Sequence, residues 1–404
     1  MDQQMSQSIK LRAALTTRIK EIMGKSSATG IFRGGILQTH LLHKARLRIG
    51  HELDSCLATR DVNFHASASI SEYEINRAAL TVAHAMVNPY YVDWDVDRFA
   101  EMAKVSTPKS DGPLANTNQL PKYFSAAMIG KISVPATIVD RQGKILTIYL
   151  PNILSSSRVE YVNSATKGLR TLLLETITSS TQQSWRSQGF VVPEGGGEFG
   201  AGRVTVSPAY FMQRHERLED PMVTSASYKS VEVQEWLAAL SATESFWNAI
   251  TAVSAPDLFE AGTLAITRII EELQGSDRTS PPICDWPSIF SGLEIIANHT
   301  TLSHRDSGGA PSLFDLLISL GSGHEAKLTL ADVGAELDYY PGTMVFISGK
   351  VLQHSIGPWG PGERLVIAHF MRDKIHSRCG VSRPPFPTQA YFLQMVGQQD
   401  SYLL

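Results

Sequence analysis

Residues 344–371 read MVFISGKVLQHSIGPWGPGERLVIAHFM, two apolar stretches on either side of the turn Gly357-Pro-Trp-Gly-Pro-Gly362. Runs this short, punctuated by glycine and proline and lacking helical spacing, read as β-strands. We expect one strand ending at His354, made of runs 344–348 and 351–354, and another over 364–371. The same signature recurs upstream at 293–298, 313–320 and 327–330, with turns at Gly321-Ser-Gly323 and Pro341-Gly342. Evenly spaced strands without intervening helices favour an antiparallel jelly roll over a parallel α/β sheet. The fold class expected is α+β, with a double-stranded β-helix (jelly-roll) core. Helical segments accompany it: residues 9–23, 36–58, 71–103, 158–178 and most of 231–273 carry apolar residues at helical spacing. A hairpin is expected around Asp140-Arg-Gln-Gly143, between runs 134–139 and 144–150, and a linker near 107–120. The organisation expected is therefore a helical, basic region over 1–125 and a jelly-roll domain over 126–404 with a helical insertion at about 158–275.

The chain has 404 residues, 43% hydrophobic and 19% charged, enough apolar material for one large domain or two ordinary ones. No apolar run approaches the roughly 18 residues of a membrane span, and the polar start lacks the apolar core of a secretory signal. The expectation is a soluble, intracellular protein with no membrane partner. Cys56, Cys284 and Cys379 are far apart, which argues against a disulfide framework or thiolate zinc site and for reduced, buried thiols. The net charge of −3 argues against a wholesale basic nucleic-acid binder. Residues 1–50, however, carry nine Lys/Arg against Asp2 and Glu21, a segment of +7 that leaves −10 for the remainder. Such a segment suits phosphate contact, and a solvated helical face explains it equally well.

Within the β-rich half, His304-Arg305-Asp306 is the only His-x-Asp or His-x-Glu in the sequence. On an extended segment, residues two apart share a face, so both side chains can grip one ion. The facial triad of non-haem Fe(II) oxygenases needs two neutral imidazoles and one carboxylate, with the remaining positions left for a 2-oxo acid and O2. Of the other histidines, His354 alone has a suitable context, fifty residues on, before a Gly/Pro turn. Ten residues further, Arg364 opens an apolar strand. A cation there needs an anion, and its planar fork fits a carboxylate such as the distal one of 2-oxoglutarate. The structural alternative is a hydrogen-bonded His304–Asp306 turn pair with Arg364 on the surface opposite an acid. Strand alternation would put Val366, Ala368, Phe370 and Arg372 on the face of Arg364, with Leu365, Ile367, His369 and Met371 pointing outward.

At these residues the sequence resembles the TET/JBP family of 2-oxoglutarate dioxygenases, which oxidise the methyl group of thymine or 5-methylcytosine in nucleic acid. The resemblance spans residues 286–376 and rests on His304-Arg305-Asp306, the preceding Asn298-His299, His354 and Arg364. It implies His304, Asp306 and His354 as catalytic iron ligands, Arg364 with Asn298 and His299 at the co-substrate, and Phe370 as an aromatic stacking on a flipped base. The implied cofactors are Fe(II), 2-oxoglutarate and O2. The implied partner is methylated duplex DNA, bound by a nuclear monomer with the basic helical region as a DNA-gripping extension. Cytosine-reading members place an acidic or amide group shortly after the His-x-Asp and a histidine late in the final strand. Gly308-Gly309 and Arg372 stand at those places, so Gly309 and Arg372 join Phe370 as candidate substrate contacts, and the base is left open between 5-methylcytosine and N6-methyladenine.

Two other motifs fail on context. His-Arg-Asp also marks kinase catalytic loops, but Pro311 stands where a magnesium-binding Asn is needed and no Asp-Phe-Gly follows. Gly195-x-Gly197-x-x-Gly200 resembles a phosphate loop, but Val204-Thr-Val206 after it reads as strand, where a helix N-terminus is required. We read the cluster as a flexible loop near the site entrance, with a substrate lid as the alternative. The competing functions are a dioxygenase acting on a small molecule or protein side chain, and a catalytically silent DNA-binding jelly roll.

Overall fold

The computed structural model describes residues 2–26, 31–33, 36–59, 68–106, 127–178, 189–212, 217, 220–273 and 285–397. The linker expected near 107–120, and Cys284, lie outside the described residues. In chain order the N-terminal part holds α1 (Asp2–Lys25), β1 (Phe32–Arg33), β2 (Ile36–Leu37), α2 (Thr39–Ala58), α3 (Glu72–Met86), β3 (Pro89–Tyr91) and α4 (Val96–Ser106). There follow β4 (Gly130–Ile132), β5 (Ala136–Val139), β6 (Ile145–Leu150), α5 (Ser156–Thr166), α6 (Arg170–Thr178), β7 (Gly202–Val206), α7 (Val231–Ser254) and α8 (Pro256–Leu273). The last part is β8 (Gly292–Ala297), β9 (Thr301–His304), β10 (Asp315–Ser322), β11 (Lys327–Leu330), β12 (Ala335–Asp338), β13 (Met344–Ile347), β14 (His354–Ile356), β15 (Glu363–Phe370), α9 (Asp373–Arg378) and α10 (Gln389–Gly397).

Two sheets build the jelly roll. The larger runs β3-β5-β6-β13-β10-β15-β8-β7 and the smaller β4-β12-β11-β14-β9, antiparallel except at β3-β5 and β12-β4. Strand β13 shows why both are needed: Val345 and Ile347 face the space between the sheets, while Met344 and Phe346 face the helices. A strand buried on both faces needs the continuous apolar run seen in the sequence.

Three sequence expectations change. The segment 71–103 is not one helix: α3 stops at Met86, Pro89 opens an edge strand, and α4 begins at Val96, whose N–H is taken by Asp140 Oδ2 at 3.1 Å. The segment 158–178 is two helices with a 3₁₀ turn at Lys167–Leu169, where Gly168 interrupts. Most consequential, the strand expected to end at His354 breaks at Ile347. Val351 and Leu352 N–H turn back onto the Ser348 carbonyl, and His354 begins β14 in the other sheet. The hairpin at 140–143 forms as expected, with Asp140 Oδ1 accepting from the Gln142 and Lys144 amides and Gly143 at φ +79°.

The helical N-terminal region shares one apolar core with the larger sheet. Leu15, Ile19 and Ile22 of α1 lie in the cluster that also holds Leu365 and Ile367 of β15, and α1 packs along α7 and α3. Glu74 of α3, which caps its own helix with Ser71, forms a buried ion pair with Arg158 of α5 at 2.8 Å. Burial alone would raise the Glu74 pKa, but the Arg158 guanidinium and the Ser71 hydrogen bonds outweigh it and hold the carboxyl below its ordinary value. The +7 segment is thus mostly helix, with α1 packed on α3 and α7 and α2 packed on α3. Among the described residues, no helix is long and apolar enough to cross a membrane.

Candidate metal and co-substrate site

The crossover at 348–353 sets His354 directly opposite His304 in the β14–β9 ladder. Their rings lie 4.2 Å apart, and the Nε2 atoms stand 3.6 Å from Asp306 Oδ1 (His304) and Oδ2 (His354). Each Nδ1 faces a carbonyl two residues back, His304 to Leu302 O at 2.9 Å and His354 to Leu352 O at 3.0 Å. A carbonyl only accepts, so each Nδ1 must carry a proton, and in the neutral ring that tautomer leaves the Nε2 lone pair facing Asp306. Burial, with His304 beside it, lowers the His354 pKa to about 4, which keeps the imidazole neutral as a metal ligand requires. Among the described residues these three are the one group of His, Cys, Asp or Glu with donor atoms all within 4.8 Å of one another.

Asp306 is held from two sides. Its N–H donates to the Gly349 carbonyl at 2.9 Å, and Asp315 of β10 hydrogen-bonds to its carboxylate. Burial and the Asp306 charge push the Asp315 pKa well above its ordinary value, so its carboxyl is protonated and donates. Gly349 sits so close that a Cβ there would strike both carboxylates. Arg305, between His304 and Asp306, bonds Asp332 at 2.6 Å and the Val351 carbonyl at 2.8 Å, while Asp332 accepts the Gln353 amide. The x of His-x-Asp thereby ties the motif to the approach of His354.

Arg364 is buried in the cavity wall, its guanidinium 5.8 Å from the Tyr339 ring and 5.9 Å from that of Trp359. Its Nη1 donates to the His299 carbonyl at 2.8 Å, and its Nε has no partner among the described residues. No acid pairs with it among the described residues, and burial lowers its pKa to about 10. A buried guanidinium left in that state fits an incoming carboxylate. His299 lines the cavity, with its ring 4.5 Å from Phe190. Asn298, at φ +51°, spends its side chain on the scaffold. Oδ1 accepts the Arg364 amide at 2.9 Å, and Nδ2 donates to the Gly200 carbonyl at 2.6 Å and Glu363 Oε1 at 3.1 Å.

The cavity holds about 230 Å³ and opens between the sheets. Arg364, Val366, Ala368, Phe370 and Arg372 all line it, with Gly308 and Gly309 at its edge. The alternate residues do not reach solvent: Leu365, Ile367 and Met371 pack under the helices, and His369 bonds Glu244 of α7 at 2.9 Å. The outward face expected from alternation is thus a second buried interface. Phe370 lies over Gly292, where a Cβ would strike its ring, and the Arg372 guanidinium sits 5.1 Å from its centroid. No local motif pointed to Asp315 or Gly349, because each meets Asp306 only through the fold.

The glycine cluster is tied down rather than loose. Glu363 reaches into it, its Oε2 accepting from Glu198 N at 2.6 Å and Oε1 from Phe199 N at 3.4 Å, and Phe199 is buried. Gly195, Gly196, Gly197 and Gly200 all have positive φ, and a Cβ on Gly197 would strike the Glu363 carboxylate. The loop that resembled a phosphate cradle holds a carboxylate of its own chain.

Residues 207–373 match the Tet_JBP family model, described as the oxygenase domain of the 2OGFeDO superfamily. Among solved structures, NgTET1 in complex with 5mC DNA is similar at 14% sequence identity with a TM-score of 0.40, over 61% of this chain and 80% of that one. No curated protein matches. The segment 207–373, which carries the cluster of two imidazoles and a carboxylate, is thus similar to the oxygenase domain of the 2OGFeDO superfamily, whose members use Fe(II), 2-oxoglutarate and O2.

Proposed function

We propose that the protein oxidises the methyl group of a modified base in DNA, 5-methylcytosine and N6-methyladenine being the candidates, with the nucleotide flipped out of the duplex. The observation that carries this reading is the order of side chains along β15. A buried guanidinium with no acid beside it among the described residues stands at one end, two small apolar residues follow, and an aromatic ring with a second guanidinium stands at the rim, all on the wall of the cavity that holds the His–Asp–His cluster.

In this reading His304, Asp306 and His354 hold Fe(II) through Nε2, carboxylate and Nε2. The iron with 2-oxoglutarate supplies the oxidising power drawn from O2. Arg364 takes the distal carboxylate, its free Nε and its fork completing hydrogen bonds that the protein leaves open. Tyr339, Val366 and Leu317 close the wall around the co-substrate. A methyl group inside a stacked duplex cannot reach a cavity between two sheets, so the base must leave the stack. Phe370 offers a face for it, and Arg372 stands where a base edge or phosphate would pass. The basic helices lie behind the larger sheet, so in this arrangement the duplex meets Arg372 and Arg203 first.

The test is to incubate the protein with Fe(II), 2-oxoglutarate and duplexes carrying single methylated bases, digest them, and identify nucleosides by mass spectrometry. Hydroxymethyl or demethylated products are expected from wild type and none from Asp306→Ala, which loses a ligand from the half-exposed end of the cluster. Oxidation by Asp306→Ala at wild-type rate would remove the triad from the mechanism.

A further inference from the structure

Strand pairing puts one acid on the cavity wall beside the proposed base platform. On β15, Ala368 pairs with Glu294 of β8 and Phe370 with Gly292, and Thr205 of β7 pairs with Glu294 on its other side. Residues opposite one another share a face, so Glu294 stands on the cavity side, level with Ala368 and one rung inside Phe370. It is four residues along from the level of Arg364, about 14 Å, farther than the five-carbon co-substrate reaches. Besides Asp306 and Asp315, which are engaged with each other, it is the one carboxylate lining this cavity among the described residues.

Its local bonds fix which oxygen is offered. Arg203 Nη1 lies 3.3 Å and Thr205 Oγ1 3.4 Å from Oε1. Both donors fall on the same oxygen, and among the described residues nothing donates to Oε2. The ion pair with Arg203 is partly exposed and therefore weak, so it orients the carboxylate without saturating it.

We propose that Glu294 reads the edge of the flipped base by accepting a hydrogen bond from its exocyclic amino group, so that the substrate is an amino-bearing base, cytosine or adenine, and not thymine. This rests on the nucleobase reading of the cavity. A carboxylate has acceptors only. The 4-amino group of 5-methylcytosine and the remaining N–H of N6-methyladenine each donate to it, whereas the O4 carbonyl of thymine brings two acceptors together. The assignment also accounts for Gly308-Gly309: the acceptor comes from β8, so none is needed after the His-x-Asp.

The experiment compares wild type with Glu294→Gln on matched duplexes bearing 5-methylcytosine, N6-methyladenine or thymine at one site. Products are measured by mass spectrometry, and Mn(II) and 2-oxoglutarate affinities by calorimetry without oxygen. Glu294→Gln should lower kcat/KM for the amino-bearing base roughly tenfold or more, mainly through KM. It should narrow the gap to thymine, because the amide can turn its N–H2 toward O4, and leave both affinities unchanged. Three results overturn the inference: wild type oxidising thymine as well as the amino-bearing bases, an unchanged base ratio in the variant, or parallel loss of Mn(II) affinity. In those cases nucleobase oxidation by wild type still stands. Wild type consuming 2-oxoglutarate without oxidising any base sinks the functional reading instead, and this inference with it.

Discussion

A guanidinium buried without an acid among the described residues is the most exacting demand made by any single side chain here. Arg364→Lys keeps the charge but loses the planar fork and the bond to His299. Losing one charge-assisted bond corresponds to about 1.5–3 kcal/mol, so 2-oxoglutarate should bind roughly 10- to 100-fold more weakly by calorimetry. Unchanged affinity would hand the anchor to another cation. At the rim, Phe370 covers Gly292 rather than filling the core. Phe370→Ala should raise KM for methylated duplex by a factor matching a stacking loss of about 1–3 kcal/mol, with Tm close to wild type. A Tm drop of several degrees with loss of 2-oxoglutarate affinity would make Phe370 a packing residue. His304, Asp306, His354 and Arg364 were legible in the sequence because their chemistry is local or rare: a unique His-x-Asp, one histidine in a β context, one cation opening an apolar strand. The places of Glu294 and Asp315 on the cavity wall were not, because they depend on which strands lie beside which.

Elements were legible where one period ran unbroken, as in α7 and β15, and illegible where the chain changes sheets. Ile347 to His354 looks continuous in hydropathy, yet Gly349 and the bonds onto the Ser348 carbonyl turn it across the jelly roll. Burial on both faces also hid the alternation, since helices cover the far side of β15. That helix–sheet contact includes a buried polar pin, His369 to Glu244 at 2.9 Å, both side chains 1% exposed. Glu244→Ala leaves the imidazole without its partner, and the cost should be about 3 kcal/mol or more, read as a lowered urea midpoint. A loss below about 0.5 kcal/mol would mean the imidazole finds another partner. Metal affinity should hold, because neither Glu244 nor His369 belongs to the His304–Asp306–His354 cluster.

For the molecule as a whole, three buried histidines set the response to acid. Burial, the largest cause in each case, lowers the pKa of His324, His354 and His376 to about 4 from an ordinary 6.5. A folded-state pKa below the unfolded one means the neutral forms stabilise the fold above pH 6.5, and that contribution drains away as the pH falls toward 4. By pH 5 each should have cost about 2 kcal/mol. Urea midpoints of metal-free protein should therefore fall between pH 7.5 and 5, and His376→Leu, which replaces a ring with neither nitrogen bonded, should flatten that slope. Equal midpoints at the two pH values would count against it. The two sheets also differ in how firmly their last strands are held. Strand β9 ends the smaller sheet and touches one neighbour, through the irregular pairs His304–His354 and Ile356–Thr301. Without metal this edge should fray by local opening, and its amides should exchange with solvent deuterium early. An ion gripped by β9 and β14 together is a clasp across that seam. Metal should then slow exchange across residues 301–306 while leaving β10 and β13 unaltered, so that the His–Asp–His cluster doubles as the stitching of its own sheet.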